Sequence, residues 1–175
     1  MNNFTTKSQE ALQRSYQLAA EKNHQQIEPL HLLAALLSQE EGIVLPILRQ
    51  MEAPINAVKS EVAGALNSLA RLQTGGMSQL FLSPEMAEVL KRADAEAARL
   101  NDEFISTEHL FLSLSDTPSS VSGIMAKFKI TYDKILQVLV SVRGSQRVSD
   151  SEPESKFQAL EKYARNLTSL ARQKG

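Results

Sequence analysis

Apolar positions recur at three- and four-residue steps along almost the whole chain, the spacing of helix faces rather than strands. Ser8, Ala11, Leu12, Ser15, Tyr16 and Ala19 share one face of a first helix, whose free N–H groups Thr5 or Thr6 can cap. A second helix is expected to begin around Glu28-Pro29. Proline is at home there because its missing N–H would lack a partner anyway. Leu30, Leu33, Ala34 and Leu37 form its stripe. A short helix is predicted over about 43–51. A longer one runs over about 54–69 with Ile55, Val58, Val62, Ala65, Leu66 and Leu69 facing inward.

The pattern then starts again. Phe4–Leu37 set against Leu82–Ser115 without a gap gives ten identities in 34 positions, among them Asn23 on Asn101, His31 on His109 and Leu36 on Leu114. Roughly two would arise by chance at ordinary composition. With one deletion the register continues, placing Val58 on Ile135 and Val62 on Leu139. A repeated supersecondary unit stacks on its copy and buries an apolar face that neither could bury alone.

The second copy opens with Ser83-Pro84-Glu85, a cap residue, a first-turn proline and an acid near the helix dipole. Val89, Leu90, Ala93, Ala97 and Leu100 are its inward face. Ser106-Thr107-Glu108 starts the next helix, and short helices over about 121–128 and 132–142 complete the copy. Residues 73–80, with Gly75-Gly76, read as the connector. Residues 144–155 are rich in Ser and Glu, lack apolar anchors, and read as a flexible linker. Beyond it, 156–174 is amphipathic, with Phe157, Leu160, Tyr163, Ala164, Leu167 and Leu170 on one side.

The expected fold is therefore all-α: two pseudo-symmetric four-helix repeats, about 4–71 and 82–143, in one globular domain spanning 1–143. A linker and a C-terminal helical segment follow.

Composition narrows the function. With 19 Lys and Arg against 20 Asp and Glu, the formal net charge is −1, and no long-range field favours nucleic acid or an anionic membrane. A helix-turn-helix DNA-binding module remains an alternative on helical pattern alone, but no exposed face collects Lys and Arg. No cysteine is present, which removes disulfide and thiolate chemistry and fits a reducing compartment. The first residues have no apolar signal core, and no apolar run reaches the roughly 20 residues of a membrane span. The expectation is a cytoplasmic protein with no membrane partner.

Candidate chemistry is sparse. Of His24, His31 and His109, the last two are repeat mates at equivalent helix starts. Metal or acid–base roles compete there with half-buried histidines that pack a helix start, and no metal-ligand spacing accompanies them. A Gly-rich phosphate loop is missing, as is a Gly-x-Ser-x-Gly elbow. Carboxylates interleave with bases, as in Glu88-Lys91-Arg92, in the manner of solvated helix faces. No catalytic residue, metal site or cofactor is expected on this segment, which reads as no enzyme.

Four separated motifs carry a resemblance. They are Ile27-Glu28-Pro29-Leu30-His31-Leu32-Leu33, Leu82-Ser83-Pro84-Glu85, Phe104-Ile105-Ser106-Thr107-Glu108-His109-Leu110-Phe111 and Ala159-Leu160-Glu161-Lys162-Tyr163-Ala164-Arg165-Asn166-Leu167. In this order and at these intervals the chain resembles the amino-terminal repeat domain of the Clp/Hsp100 unfoldases, the ClpB disaggregases in particular. The resemblance implies a substrate-binding domain that engages unfolded or aggregated polypeptides and passes them to an ATP-driven AAA+ ring. It implies ATP and Mg in a parent protein, of which 156–175 would open the first ATPase module. The implied partners are unfolded or aggregated proteins, the ATPase modules of the same chain, and a Hsp70-type chaperone system acting through the parent. An adaptor-docking domain of a protease-linked unfoldase is the alternative within the family.

Carried over by position, the family's polar substrate-handling surface falls on Thr5, Asp102 and Glu108. Each also has an ordinary structural use: Thr5 as a cap, Asp102 in the turn after Asn101, Glu108 in a first turn where the dipole favours a carboxylate. Ser113 and Ser115 depart from the family, where bulkier apolar residues or Ala are usual.

Overall fold

The computed structural model describes residues 3–72, 79–143, 148–149 and 151–154. The first copy folds as α1 (Thr6–Glu21), β1 (Gln26–Ile27), α2 (Pro29–Leu37), α3 (Val44–Gln50) and α4 (Ile55–Asn67). The second folds as β2 (Phe81–Leu82), α5 (Pro84–Arg99), α6 (Thr107–Asp116), α7 (Ser120–Lys127) and α8 (Tyr132–Arg143). The all-α double repeat expected from the sequence is the observed architecture. The connector at 73–78, the rest of the 144–155 segment and the amphipathic stretch 156–174 lie outside the described residues.

The repeat register is visible in the backbone. Thr6 and Pro84 start the first helices and Pro29 and Thr107 the second, each pair 78 apart, while Ile55 and Tyr132, which start the fourth, are 77 apart. Four residues take left-handed φ values near 56–59°: Asn23 with its mate Asn101, and Glu52 with Lys129. Each closes a helix with the same pair of bonds. His24 N–H reaches the Ala19 carbonyl at 2.9 Å, and Asp102 N–H reaches that of Ala97 at 2.8 Å. Ala53 N–H bonds Leu48 at 3.0 Å, and Ile130 N–H bonds Met125 at 2.8 Å. Asparagine tolerates that conformation well; Glu52 and Lys129 adopt it at some cost because the chain must reverse there.

The second helix of each copy is central. In α2 every residue but Ala34 is buried, and in α6 Thr107 through Leu114 are all buried. The single stripe expected for α2 is therefore too narrow, because this helix is covered on all sides by α1, α4 and the other copy. Ser113 explains its own departure: its hydroxyl donates to the Val89 carbonyl of α5, filling a close helix contact with a hydrogen bond rather than volume. At the edge the inward faces are looser than expected. Leu12 and Leu90 are only half-buried, and Tyr16 is 52% exposed.

The copies interlock through their loops. Ile27 pairs with Leu82 in the two-residue parallel β1–β2 ladder, and the mates of these residues, Ile105 and Phe4, form the equivalent parallel bridge. Thr5 N–H donates to the Ile105 carbonyl at 3.0 Å, and Ser83 N–H to the Ile27 carbonyl at 3.1 Å. Each copy thus fixes the start of the other's first helix.

The segment after α8 does find something to bury. Val148 is fully buried, Glu103 N–H donates to its carbonyl at 2.8 Å, and Thr6 N–H donates to the Ser151 carbonyl at 2.9 Å. Among the described residues, Val148, a few backbone bonds and the buried Glu154 side chain anchor a stretch whose composition predicts no anchor.

Candidate functional site

Two loop-and-helix-start ends, one per copy, hold most of the buried polar side chains among the described residues. At end one, Glu28 N–H donates to Nδ1 of His31 at 2.9 Å, closing the first turn of α2 from the side-chain direction. The other nitrogen, Nε2, therefore carries the proton and meets Nδ1 of His24 at 2.8 Å. Both imidazoles are nearly or wholly buried, at 3% and 0% exposure. Burial, then the neighbouring His24, pushes His31 down to about 4. Burial, then Lys22 and Arg71, lowers His24. Burial and then Glu85 raise Glu28. A cleft of about 200 Å³ opens beside this pair, lined by Glu28, Gln25 and Ala70 among others.

End two repeats the geometry with different chemistry. Ser106 N–H donates to Nδ1 of His109 at 2.8 Å, and Nε2 of His109 faces Asp102 Oδ2 at 2.7 Å. Asp102 stands where copy one has His24. Its second oxygen accepts from Arg143 Nη2 at 2.6 Å and from Val148 N–H at 2.8 Å. Arg143 stands where copy one has Leu66, and its Nη1 lies 3.6 Å from Glu108 Oε1. Ser106 Oγ donates to Glu108 at 2.5 Å. Burial would raise Asp102, but the hydrogen bonds from His109, Arg143 and Val148 outweigh it and hold the carboxyl below its ordinary value. For Glu108 burial prevails over the His109 and Arg143 charges, and Glu154 adds to the rise.

All three residues singled out for substrate handling belong to end two. Thr5 caps α1, accepting from Ser8 N–H at 3.2 Å, and donates to Glu154 Oε1 at 2.8 Å. Glu154 in turn accepts from Thr107 N–H at 3.1 Å, next to Glu108. The pseudo-two-fold packing does bring the start of α1 to the start of α6. The structure differs from the expected surface rim in exposure, however. Thr5 and Glu108 and the side chain of Asp102 are all at 0%, with Val148 bonded to Asp102 and Glu154 to Thr5.

Sequence reasoning missed Arg143 and Glu154. Arg143 had a signal: Ile135, Leu139 and Arg143 continue one inward stripe at four-residue steps, so a charge was entering a core position. Glu154 had none, since its partners are 47 and 149 residues away.

Asp102, Glu108 and His109 place ligand-type atoms within 4.8 Å of one another. They do not suit a metal ion. His109 has both nitrogens engaged, and a guanidinium already supplies the positive charge between the carboxylates. Elsewhere, an apolar cleft of about 190 Å³ lies between α2 and α4, floored by Ala34, Leu37, Val62 and Leu66. Phe81 and Leu82 stand exposed on β2. No helix among the described residues is long and apolar enough to cross a membrane.

Residues 3–128 match the family described as Clp repeat (R) N-terminal domain. The chain is 34% identical over 174 residues to Chaperone protein ClpB of Bacillus cereus (strain ATCC 10987 / NRS 248), covering 98% of this chain and 20% of that protein. It therefore spans about one fifth of the length of the curated relatives it matches. Its fold is that of the N-terminal domain of Hsp104 from Candida albicans, with a TM-score of 0.79 at 20% identity over 88% of this chain and 100% of that one. A ClpV N-domain in complex with a VipB peptide has the same fold, with a TM-score of 0.64 at 20% identity over 79% and 85% of the two chains. Both copies, their interlocked loops and the match over residues 3–128 lead to one conclusion: the chain belongs to the Clp repeat N-terminal domain family.

Proposed function

We propose that this chain is the client-receiving domain of an ATP-dependent protein disaggregase. The observation that carries this reading is the 34% identity to a ClpB chaperone over 98% of the chain. In this reading the domain engages unfolded or aggregated polypeptides and hands them to ATPase modules of the same protein. Residues 156–175 open the first of these. The chemistry is mechanical: ATP and Mg belong to those modules, a Hsp70-type system acts through the whole protein, and the segment itself catalyses nothing. Thr5, Asp102 and Glu108 are the polar groups assigned to client handling. They are drawn together at end two, where they are covered by residues 148–149 and 151–154, so an extended polypeptide reaches these hydrogen-bonding groups by displacing that segment.

A second reading is that the domain docks a defined adaptor peptide. The solved complex of a ClpV N-domain with a VipB peptide, on the same fold, favours it. Titration with a permanently unfolded protein, the same protein folded, and a panel of helical peptides separates the two. The client reading expects selective binding of the unfolded form, weakened several-fold in Asp102→Asn with Glu108→Gln. These changes keep side-chain shape but leave the buried Arg143 without its two carboxylates, so the melting midpoint is followed alongside and binding is compared well below the variant's transition. Equal affinity for folded and unfolded forms overturns the client reading, and tight binding confined to one peptide supports the adaptor reading. Phosphate release from ATP should stay at the heat-treated blank.

A further inference from the structure

Glu154 is held as a ligand would be. Its carboxylate is fully buried, and Oε1 accepts from the Thr5 hydroxyl at 2.8 Å, the Thr107 N–H at 3.1 Å and the Thr107 hydroxyl at 3.4 Å. Thr5 opens α1 and Thr107 opens α6, so the positive ends of two helices, one from each copy, converge on one carboxylate. The fit is incomplete. Glu154 Oε2 is buried without a hydrogen-bond partner among the described residues, as is Glu108 Oε2, and the two carboxylates repel each other. The counterpart place in copy one cannot bind this way: Ser83 matches Thr5, but Pro29 stands where Thr107 donates its N–H.

The geometry points to a carboxylate seat between Thr5 and Thr107 that Glu154 occupies in cis, and that an acidic side chain of a bound polypeptide takes over when the strap formed by residues 148–149 and 151–154 lifts. The inference rests on the reading of the chain as a client-binding domain, and it gives that domain a preference: clients carrying carboxylates compete with Glu154. Because only the strap-free fraction binds, the strap lowers apparent affinity for every acidic client.

The test uses the full chain, amide hydrogen exchange, and fluorescence titration with an unstructured peptide carrying several Glu and its Gln-substituted counterpart. Glu154→Ala should speed exchange at Thr6 and Thr107 by about tenfold or more, leave Leu36 and Leu114 unchanged, and tighten the Glu peptide several-fold over the Gln peptide. Added to the unaltered chain, the Glu peptide should speed exchange at Thr6 and Glu103 as the strap leaves, while Thr107 stays protected. Thr107→Pro copies the residue of copy one and keeps a helix-compatible first turn; it should abolish the preference for Glu over Gln. Equal binding of the two peptides, or binding without faster exchange at Thr6, overturns the seat. If an unfolded protein binds but Glu154→Ala changes neither its affinity nor Thr6 exchange, the seat falls and the client reading stands. If no polypeptide binds, both fall.

Discussion

The two ends of the molecule share a backbone and differ in what they do with it. Each has a left-handed asparagine, a histidine whose Nδ1 accepts the N–H at a helix start, and a partner for its Nε2 seven residues earlier. At end one that partner is a second histidine, with the apolar Leu66 where end two has Arg143, and no charged side chain is drawn into the pair by a hydrogen bond among the described residues. At end two it is an aspartate backed by Arg143, and the charges recruit Glu108, Val148 and, beyond them, Glu154. The scaffold is set by positions that are the same in both copies. The chemistry is set by positions that are not, among them 24 against 102, 29 against 107, 30 against 108 and 66 against 143. Duplication supplied the frame, and divergence at its polar positions turned one end into a place where another segment of chain binds.

The largest break in this comparison should come from Arg143→Ala. It strands two buried carboxylates and should cost about 3–5 kcal/mol by chemical denaturation. Converting end two to the pattern of end one, with Asp102→His and Arg143→Leu together, should cost less than Arg143→Ala alone. A double-mutant cycle measures that coupling. Next come the shared core positions. Leu36→Ala and Leu114→Ala remove fully buried mates and should each cost about 2–5 kcal/mol, within about 1 kcal/mol of each other. The half-buried mates Leu12 and Leu90 should cost clearly less. A loss at Leu36 far above that at Leu114 would show that the copies are not equivalent in packing.

Acid should separate the ends. His31 is held at about 4 against 6.5 for a free histidine, so the folded state prefers it unprotonated. Its contribution is complete above 6.5 and is lost as pH falls through about 4. Glu108, raised above its ordinary 4.5, works in the opposite direction from 4.5 upward: its stabilisation is full below 4.5 and is lost as pH rises through its raised value, so it partly offsets the histidine there, while Asp102, held below 3.8, loses its contribution only as pH falls through that lower value. Melting midpoints of the unaltered chain should therefore fall between pH 6.5 and 4. His31→Gln keeps an acceptor at the helix start and should flatten that fall. An unchanged slope would remove the histidine pair from the account.

The smallest effects belong to the caps. Thr5→Ala and Ser83→Ala each lose one N-cap and should cost about 1 kcal/mol in the melt, Thr5 somewhat more because its hydroxyl also holds Glu154. Thr5→Ser should restore most of the loss.

Most of the frame was legible in the sequence because it rests on local signals. Helical spacing placed eight helices, Ser83-Pro84 and Glu28-Pro29 marked starts, and the repeat register located the deletion between copies. The full burial of α2 and α6 was harder to read. A stripe pattern records one neighbour, and these helices have neighbours on every side. The residues of the candidate site were found through resemblance and not their burial, since Thr5, Asp102 and Glu108 look like ordinary turn and cap residues. What hides them is contact from Val148 and Glu154, and no local pattern reports a partner so far along the chain.

The central claim is that end two, not its structural twin, receives polypeptide. The most direct measurement is a residue-resolved titration of the labelled chain with a permanently unfolded protein, following backbone amide signals. The account predicts that Thr6, Glu103 and Thr107 shift in a saturable way while Glu28, Ser83 and Ala87 stay in place. Shifts confined to Glu28 and Ser83, or equal at both ends, would contradict it.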